Sequence, residues 1–215
     1  MKPLAFALVA TLLTSAPALA GPATLKQLSL AQDLFAYGLE TQDPVIVLGA
    51  AKIAASVHVT DVDRPVETRA GDTPGNDTGE GELPQVISAK DMFAVALDLA
   101  AGDETLVMLI EDAEAEGSRG RVGGASRTLN RLQSGYVDMV KVQFKGGELA
   151  ELAILGTEGA SLDLKVSDDK GHTICAEQGA SDKLYCAWTP ATDGAFFAEI
   201  ENTGAKRNSY YVLTN

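Results

Sequence analysis

The chain of 215 residues is poor in the side chains that usually carry chemistry: two cysteines, two histidines and one tryptophan. So few nitrogen and sulfur ligands exclude most His/Cys metal cages. Positive charge is also scarce, with 17 Lys and Arg against 30 Asp and Glu, a net charge of −13. A protein this acidic is repelled by phosphate backbones and by anionic lipid surfaces, which argues against nucleic-acid binding and peripheral membrane attachment. No hydrophobic run reaches the ~20 residues that a membrane-spanning helix needs. His-Glu-x-x-His, Gly-x-Ser-x-Gly and the phosphate-binding glycine loop are all missing, and with them the commonest zinc-peptidase, serine-hydrolase and nucleotide-binding signatures.

The first 20 residues have the layout of an export signal. Lys2 supplies the positive start, Leu4 to Leu13 the short apolar stretch, and Pro17 precedes Ala18-Leu19-Ala20, a small-x-small cleavage site. The expected product begins at Gly21 and is periplasmic or secreted, with no membrane insertion once the signal is removed.

Residues 21–118 read as helical, interrupted by a linker. Thr24 with Gln27 has the spacing of a capping box, and Leu28, Ala31, Phe35 and Leu39 follow at helical intervals. Asp43-Pro44 restarts a helix, with a carboxylate cap and proline at the first helical position. Its apolar stripe is Ile46, Ala50, Ile53 and Val57, and the helical pattern runs on to Thr60, with His58 closing the second helix. Residues 61–86 are rich in Gly, Pro and carboxylates, without an aromatic ring. The expectation is a flexible linker, with an acidic cation-binding loop as the other reading. Ser88 and Asp91 then form a second capping signature. A turn at Gly102-Asp103 leads to a helix from Glu104 to Glu116, stopped by Gly117. Ala31-Gln32-Asp33-Leu34-Phe35-Ala36 matches Ala89-Lys90-Asp91-Met92-Phe93-Ala94 at four positions, at a constant offset of 58. The two hairpins are therefore either a duplicated repeat or similar by alanine-rich coincidence.

Beyond residue 119 the period becomes alternating. Tyr136–Phe144, Leu149–Leu155, Leu162–Val166, Thr173–Ala176, Leu184–Trp188, Ala195–Glu201 and Tyr210–Thr214 read as strands separated by turn residues. The expected fold class is α+β: helical hairpins first, then an antiparallel β-sandwich over 119–215. Ala150-Glu151-Leu152-Ala153-Ile154-Leu155-Gly156, Leu162-Asp163-Leu164-Lys165-Val166-Ser167-Asp168, Trp188-Thr189-Pro190 and Asn208-Ser209-Tyr210-Tyr211-Val212-Leu213 carry a resemblance. Over roughly residues 135–215 the chain resembles the bacterial pre-peptidase C-terminal domain. That resemblance implies a jelly-roll-like sandwich with an accessory role in binding or stability, not a catalytic activity.

The candidate site residues are few. Cys175 and Cys186 flank the Glu177–Lys183 stretch, and in an exported protein they are expected to form a disulfide across two strands. Asp163, Asp168 and Asp169 could gather around calcium, the one cofactor considered. Ordinary hairpin chemistry at Asp168-Asp169-Lys170-Gly171 is the favoured alternative. Arg119, Arg121, Arg127 and Arg131 are four of the chain's seven arginines. They could bind an anion, but the adjacent Glu111, Asp112, Glu114 and Glu116 favour an internal role fixing helices against sheet. His172 reads as a polar residue beside a hairpin. The expected function is that of an exported, non-catalytic binding or assembly protein of the bacterial envelope, partnered by an envelope protein or glycan. The alternative is an envelope hydrolase, or an accessory subunit of one, working through acidic residues.

Overall fold

The computed structural model describes residues 24–72, 75, 88–117, 124–157 and 159–215. The export signal, Arg119, Arg121 and most of the acidic glycine-rich run lie outside the described residues.

Among the described residues, four helices form two hairpins. In the first, α1 (Thr24–Thr41) is joined to α2 (Pro44–Ser56) by Gln42 and Asp43 alone. Gln42 takes the left-handed conformation at φ 54°. Its N–H donates to Leu39 O, and the N–H of Asp43 donates back to Gly38 O at 2.9 Å, the paired closure of a Schellman end. Asp43 then starts the next helix, its Oδ1 accepting from the N–H groups of Val45 (2.8 Å) and Ile46 (3.2 Å). One dipeptide thus ends one helix and begins another. The second hairpin, with a longer turn over residues 100–103, again uses an aspartate cap to start its second helix. A reciprocal Ser88–Asp91 capping box opens α3 (Ala89–Leu99), and Asp103 accepts from Thr105 and Leu106 to open α4 (Glu104–Gly117).

Helix α2 lies at the centre and packs against α1, α3 and α4. Four of its six buried residues are alanine, Ala50, Ala51, Ala54 and Ala55, beside Val47 and Leu48. Phe35, Met92, Phe93 and Ile110 fill the spaces around it. The approach of α1 to α2 is close enough that a Cβ at Gly38 would meet Val47 Cγ2 at 2.7 Å, a contact only glycine permits.

Among the described residues, ten strands form two five-stranded sheets, the first two strands lying between the two helical hairpins in sequence. One has the order β1 (His58–Asp61), β3 (Gly124–Leu132), β10 (Asn208–Thr214), β5 (Ala150–Gly156), β8 (Lys183–Trp188). The other has the order β2 (Val66–Ala70), β4 (Tyr136–Phe144), β9 (Gly194–Asn202), β6 (Leu162–Asp168), β7 (Thr173–Ser181). Every odd–even pair, β1/β2 through β9/β10, puts one strand in each sheet at matching positions. The chain therefore crosses from sheet to sheet as it proceeds. All pairings are antiparallel except β1 with β3, which is parallel. The expected α+β layout, helices first and a sandwich after, is what the chain forms.

Three expectations are corrected. His58 opens strand β1 instead of closing a helix, since Val57 already breaks the helical backbone at ψ 127°. The stretch expected as a flexible linker contributes β2, paired along its length to β4 from Val66↔Val140 to Ala70↔Tyr136. The sandwich consequently extends beyond 119–215, because β1 and β2, the edge strands on one side, come from the helical half of the sequence.

The sandwich interior divides in two. Around Leu152, Ile154, Leu162, Leu164, Val166 and Ile200 it is apolar. Toward the β1/β2 side it is polar. Asp138, only 1% exposed, accepts from Tyr210 Oη and from Thr68 Oγ1, each at 2.5 Å. Burial, reinforced by the neighbouring Asp138 charge, pushes the Tyr210 hydroxyl far above its ordinary pKa. Arg64, in the β1–β2 connection, reaches over β3 and β10. Its Nη1 donates to Thr128 Oγ1 (2.6 Å), and its Nη2 to Ser126 Oγ (2.6 Å) and Thr214 Oγ1 (2.9 Å).

Candidate functional site: a cleft at the junction of helices and sandwich

The outer face of the β1-β3-β10-β5-β8 sheet carries an apolar patch, and α1 covers part of it. Leu25 and Leu28 of α1 pack on Ala153 and Leu213, with Val57 and Ala125 beside them. A carboxylate fixes the docking. Glu151, wholly buried on the inner strand β5, accepts from the N–H of Thr24 at 2.6 Å and of Leu25 at 3.2 Å through Oε2. Its Oε1 accepts from Tyr185 Oη at 2.7 Å. Unpaired helix-start N–H groups and a buried carboxylate satisfy one another, and the negative charge meets the positive end of the helix. Burial first, then the Glu151 contact, raises the pKa of the Tyr185 hydroxyl.

Of the four helices, α1 makes the extensive contacts to the sheet, with β5 and β3. The others stand off, and a cleft of about 410 Å³ opens between them and the sheet. Its walls are apolar: Leu28, Ala54, Val57, Phe93, Leu155 and Leu213. Polar side chains also line it: Gln32, His58, Ser88, Lys90, Glu114 and Arg127.

Arg127 shows how this polar lining is organised. It extends from β3 and forms a two-point pair with Asp61 of the neighbouring parallel strand, Nε to Oδ1 at 2.7 Å and Nη2 to Oδ2 at 3.1 Å. Its guanidinium lies over the Tyr211 ring, 4.8 Å from the centroid. The hydrogen bond from Arg127 holds the Asp61 carboxyl below its ordinary pKa, and the same bond raises that of Arg127.

The sequence-predicted residues disperse. Cys175 and Cys186 are bonded, with Cα atoms 6.0 Å apart. The bridge joins β7 to β8, which belong to different sheets, so it staples the sandwich shut at one side and does not span a single hairpin. The stretch expected between the two cysteine strands is itself largely strand, with β7 running to Ser181 and β8 starting at Lys183.

Asp163, Asp168 and Asp169 do not converge, and among the described residues no group of three His, Cys, Asp or Glu side chains is placed to hold a metal ion. Asp163 and Asp168 are an odd number of positions apart on β6, so strand alternation sends them to opposite faces. Asp163 accepts from the N–H of Gly179 in the irregular β6–β7 pairing. Asp168 accepts from the N–H groups of Lys170 and His172 and pairs with the His172 ring at 2.9 Å. That is hairpin chemistry, with Gly171 at φ 82°.

The arginine expectation is corrected in its partner. Arg127 pairs with Asp61 of β1, not with the acids of α4, because the strand pairing brings β1 beside β3. Arg131 is exposed on β3 and makes no ion pair among the described residues.

Sequence reasoning passed over Glu151. Its signal was present: a single carboxylate in Ala150-Glu151-Leu152-Ala153-Ile154-Leu155, a run too apolar for a solvated strand, must have buried donors. The contribution of His58 and Val59 to the cleft had no local signal, since it depends on β1 existing.

No protein-family model matches the chain. No curated protein matches it. Among solved structures it is similar to the pre-peptidase C-terminal domain of a collagenase from Bacillus anthracis, at 8% identity and a TM-score of 0.27, over 73% of this chain and 93% of that one. It is also similar to an IDO from Bacillus thuringiensis, at 9% identity and a TM-score of 0.23, over 91% of this chain and 95% of that one. The first is the kind of domain that the motifs between residues 135 and 215 resemble. The two-sheet sandwich itself rests on this chain's own strand pairing.

Proposed function

We propose that the protein is an exported, non-catalytic binding protein of the bacterial envelope, and that the junction cleft holds its ligand. The cleft carries this reading. At about 410 Å³ it lies within the roughly 300–1,000 Å³ of small-molecule sites. It also has their composition, apolar walls with a few polar groups. A disulfide between the sheets suits an oxidising compartment outside the cytoplasm, in keeping with the export signal read at residues 1–20. No helix among the described residues is long and apolar enough to cross a membrane.

The test uses N-phenyl-1-naphthylamine, a neutral dye that fluoresces in apolar sites. The wild-type protein should enhance its emission. Ala54→Trp, on the cleft wall, should abolish the enhancement, as should Gln32→Trp, which enters from the α1 side without touching the helix core. Undiminished dye binding in both variants, or none in the wild type, overturns the site. Incubation with envelope glycans should leave them intact; product release would overturn the non-catalytic reading.

A further inference from the structure

We propose that the cleft takes an amphipath with one negatively charged head, its apolar part between Phe93, Val57 and Leu213 and its head at Arg127 and Lys90. The inference rests on the cleft being the ligand site and concerns which ligand enters it.

The argument starts from the walls. Residues from α1, α2, α3, β3, β5 and β10 meet there, and most present carbon. A fully polar ligand would leave its own hydrogen-bonding groups unmet against them. The ligand must therefore be largely apolar, with its polar end at the polar lining.

Two cations stand in that lining in a chain of net charge −13. Asp61 occupies Nε and Nη2 of Arg127. Nη1 has no acceptor among the described residues. With two nitrogens clamped and the plane resting on Tyr211, the guanidinium is held in place before any ligand arrives, so little side-chain entropy remains to be lost on binding. Lys90 stands in the first turn of α3 and makes no ion pair among the described residues. The N-terminus of α3 lies beside it at Ser88 and Ala89, which also line the cleft, but Asp91 already caps that end, so the ammonium and not the helix dipole is the charge offered there. Ammonium and guanidinium come from α3 and β3, elements distant in sequence, and the fold brings them to one opening.

The same lining limits the charge. Glu114 belongs to it as well and makes no ion pair among the described residues, so a second negative charge on the ligand would be repelled. A carboxylate or a sulfate monoester satisfies this, and a phosphate dianion does not.

Calorimetric titration with decanoate, decanol, decyltrimethylammonium and decylphosphocholine, each below its micelle concentration, tests the head group. Decanoate should bind at least tenfold more tightly than decanol and decylphosphocholine, and decyltrimethylammonium most weakly. Lys90→Ala should weaken decanoate about tenfold, the scale of one hydrogen bond to a charged group, and change decanol far less. Arg127→Gln should do the same. Equal affinity for all four heads, preference for the zwitterion, or decanoate binding unmoved in both variants overturns the charge assignment while leaving the cleft as a site. Failure of every decyl probe to bind overturns the cleft reading itself.

Discussion

The helical half buries alanine where the sandwich buries leucine, isoleucine and valine. Ala50, Ala51, Ala54 and Ala55 let α2 sit close to three helices, but each removes little apolar surface from water. Residues such as Leu152, Ile154, Leu162 and Ile200 remove far more, and the sandwich adds a buried Tyr210–Asp138 pair, extended to Thr68 at the surface, and a disulfide. The two parts also end differently. The sandwich is closed on one side by the Arg64 clasp and on the other by Cys175–Cys186. The helices are closed by local caps and tied to the sheet mainly through α1 and Glu151. Docking through one helix leaves the rest of the bundle off the sheet, and the cleft is the consequence. The proposed binding site would then be a by-product of unequal attachment.

The largest expected effect breaks the stronger half. Cys175→Ser with Cys186→Ser removes a cross-link whose sequence separation is 11. Opening a loop of that size should cost roughly 2.5–3 kcal/mol in denaturant unfolding. Native-state hydrogen exchange should rise first in β7 and β8, with α2 and α3 keeping their protection. If the helices lose protection first, the two halves are not distinct in the way described.

A smaller effect tests the attachment. Glu151→Gln keeps the shape and one acceptor but removes the charge that meets the α1 N-terminus. The loss should be about 1–2 kcal/mol, reduced by relief of the buried charge. Faster exchange should concentrate in the first turns of α1. Unchanged exchange there would show that apolar contact at Leu25 and Leu28 alone docks the helix.

The two halves were unequally legible in the sequence as well. Helix boundaries at Asp43-Pro44, at Ser88 with Asp91 and at Asp103 could be read because capping is settled within three or four residues. Strands β4 to β10 could be read because apolar and polar positions alternate. The first three strands could not. β1 has four residues, mostly exposed. β2 is an edge strand whose Glu67, Thr68 and Arg69 do not announce a core. β3 turns Ser126 and Thr128 toward an interior made polar by Arg64, which hides its alternation. The cleft was illegible for a further reason: it exists only because distant segments meet, and no local pattern records which helix docks. Pairing of the two cysteines followed from their number, but their placement on different sheets depends on the strand order.

The smallest effect lies where the halves join, at the Asp61–Arg127 pair. β1 arrives directly from α2, so this pair fastens the chain as it passes from bundle to sheet. Arg127 holds the Asp61 carboxyl below its unfolded value of 3.8. A depressed carboxyl contributes stability above its unfolded pKa, and that contribution fades as pH falls through the folded value, so the loss belongs below about pH 4. The Asp61 side chain is 73% exposed, so water and salt screen the pair and its contribution should stay below about 1 kcal/mol. Acid titration of stability should therefore show a small fall below pH 4 in the wild type that is missing in Asp61→Asn and shrinks in 1 M salt. Hydrogen exchange should place that fall at β1 and the end of α2, with the disulfide side of the sandwich unaffected. An identical acid limb in the variant would mean that strand pairing between β1 and β3 holds the joint without the ion pair. Arg127 would then lose its fixed posture at the cleft only in the variant's side chain, not in its backbone.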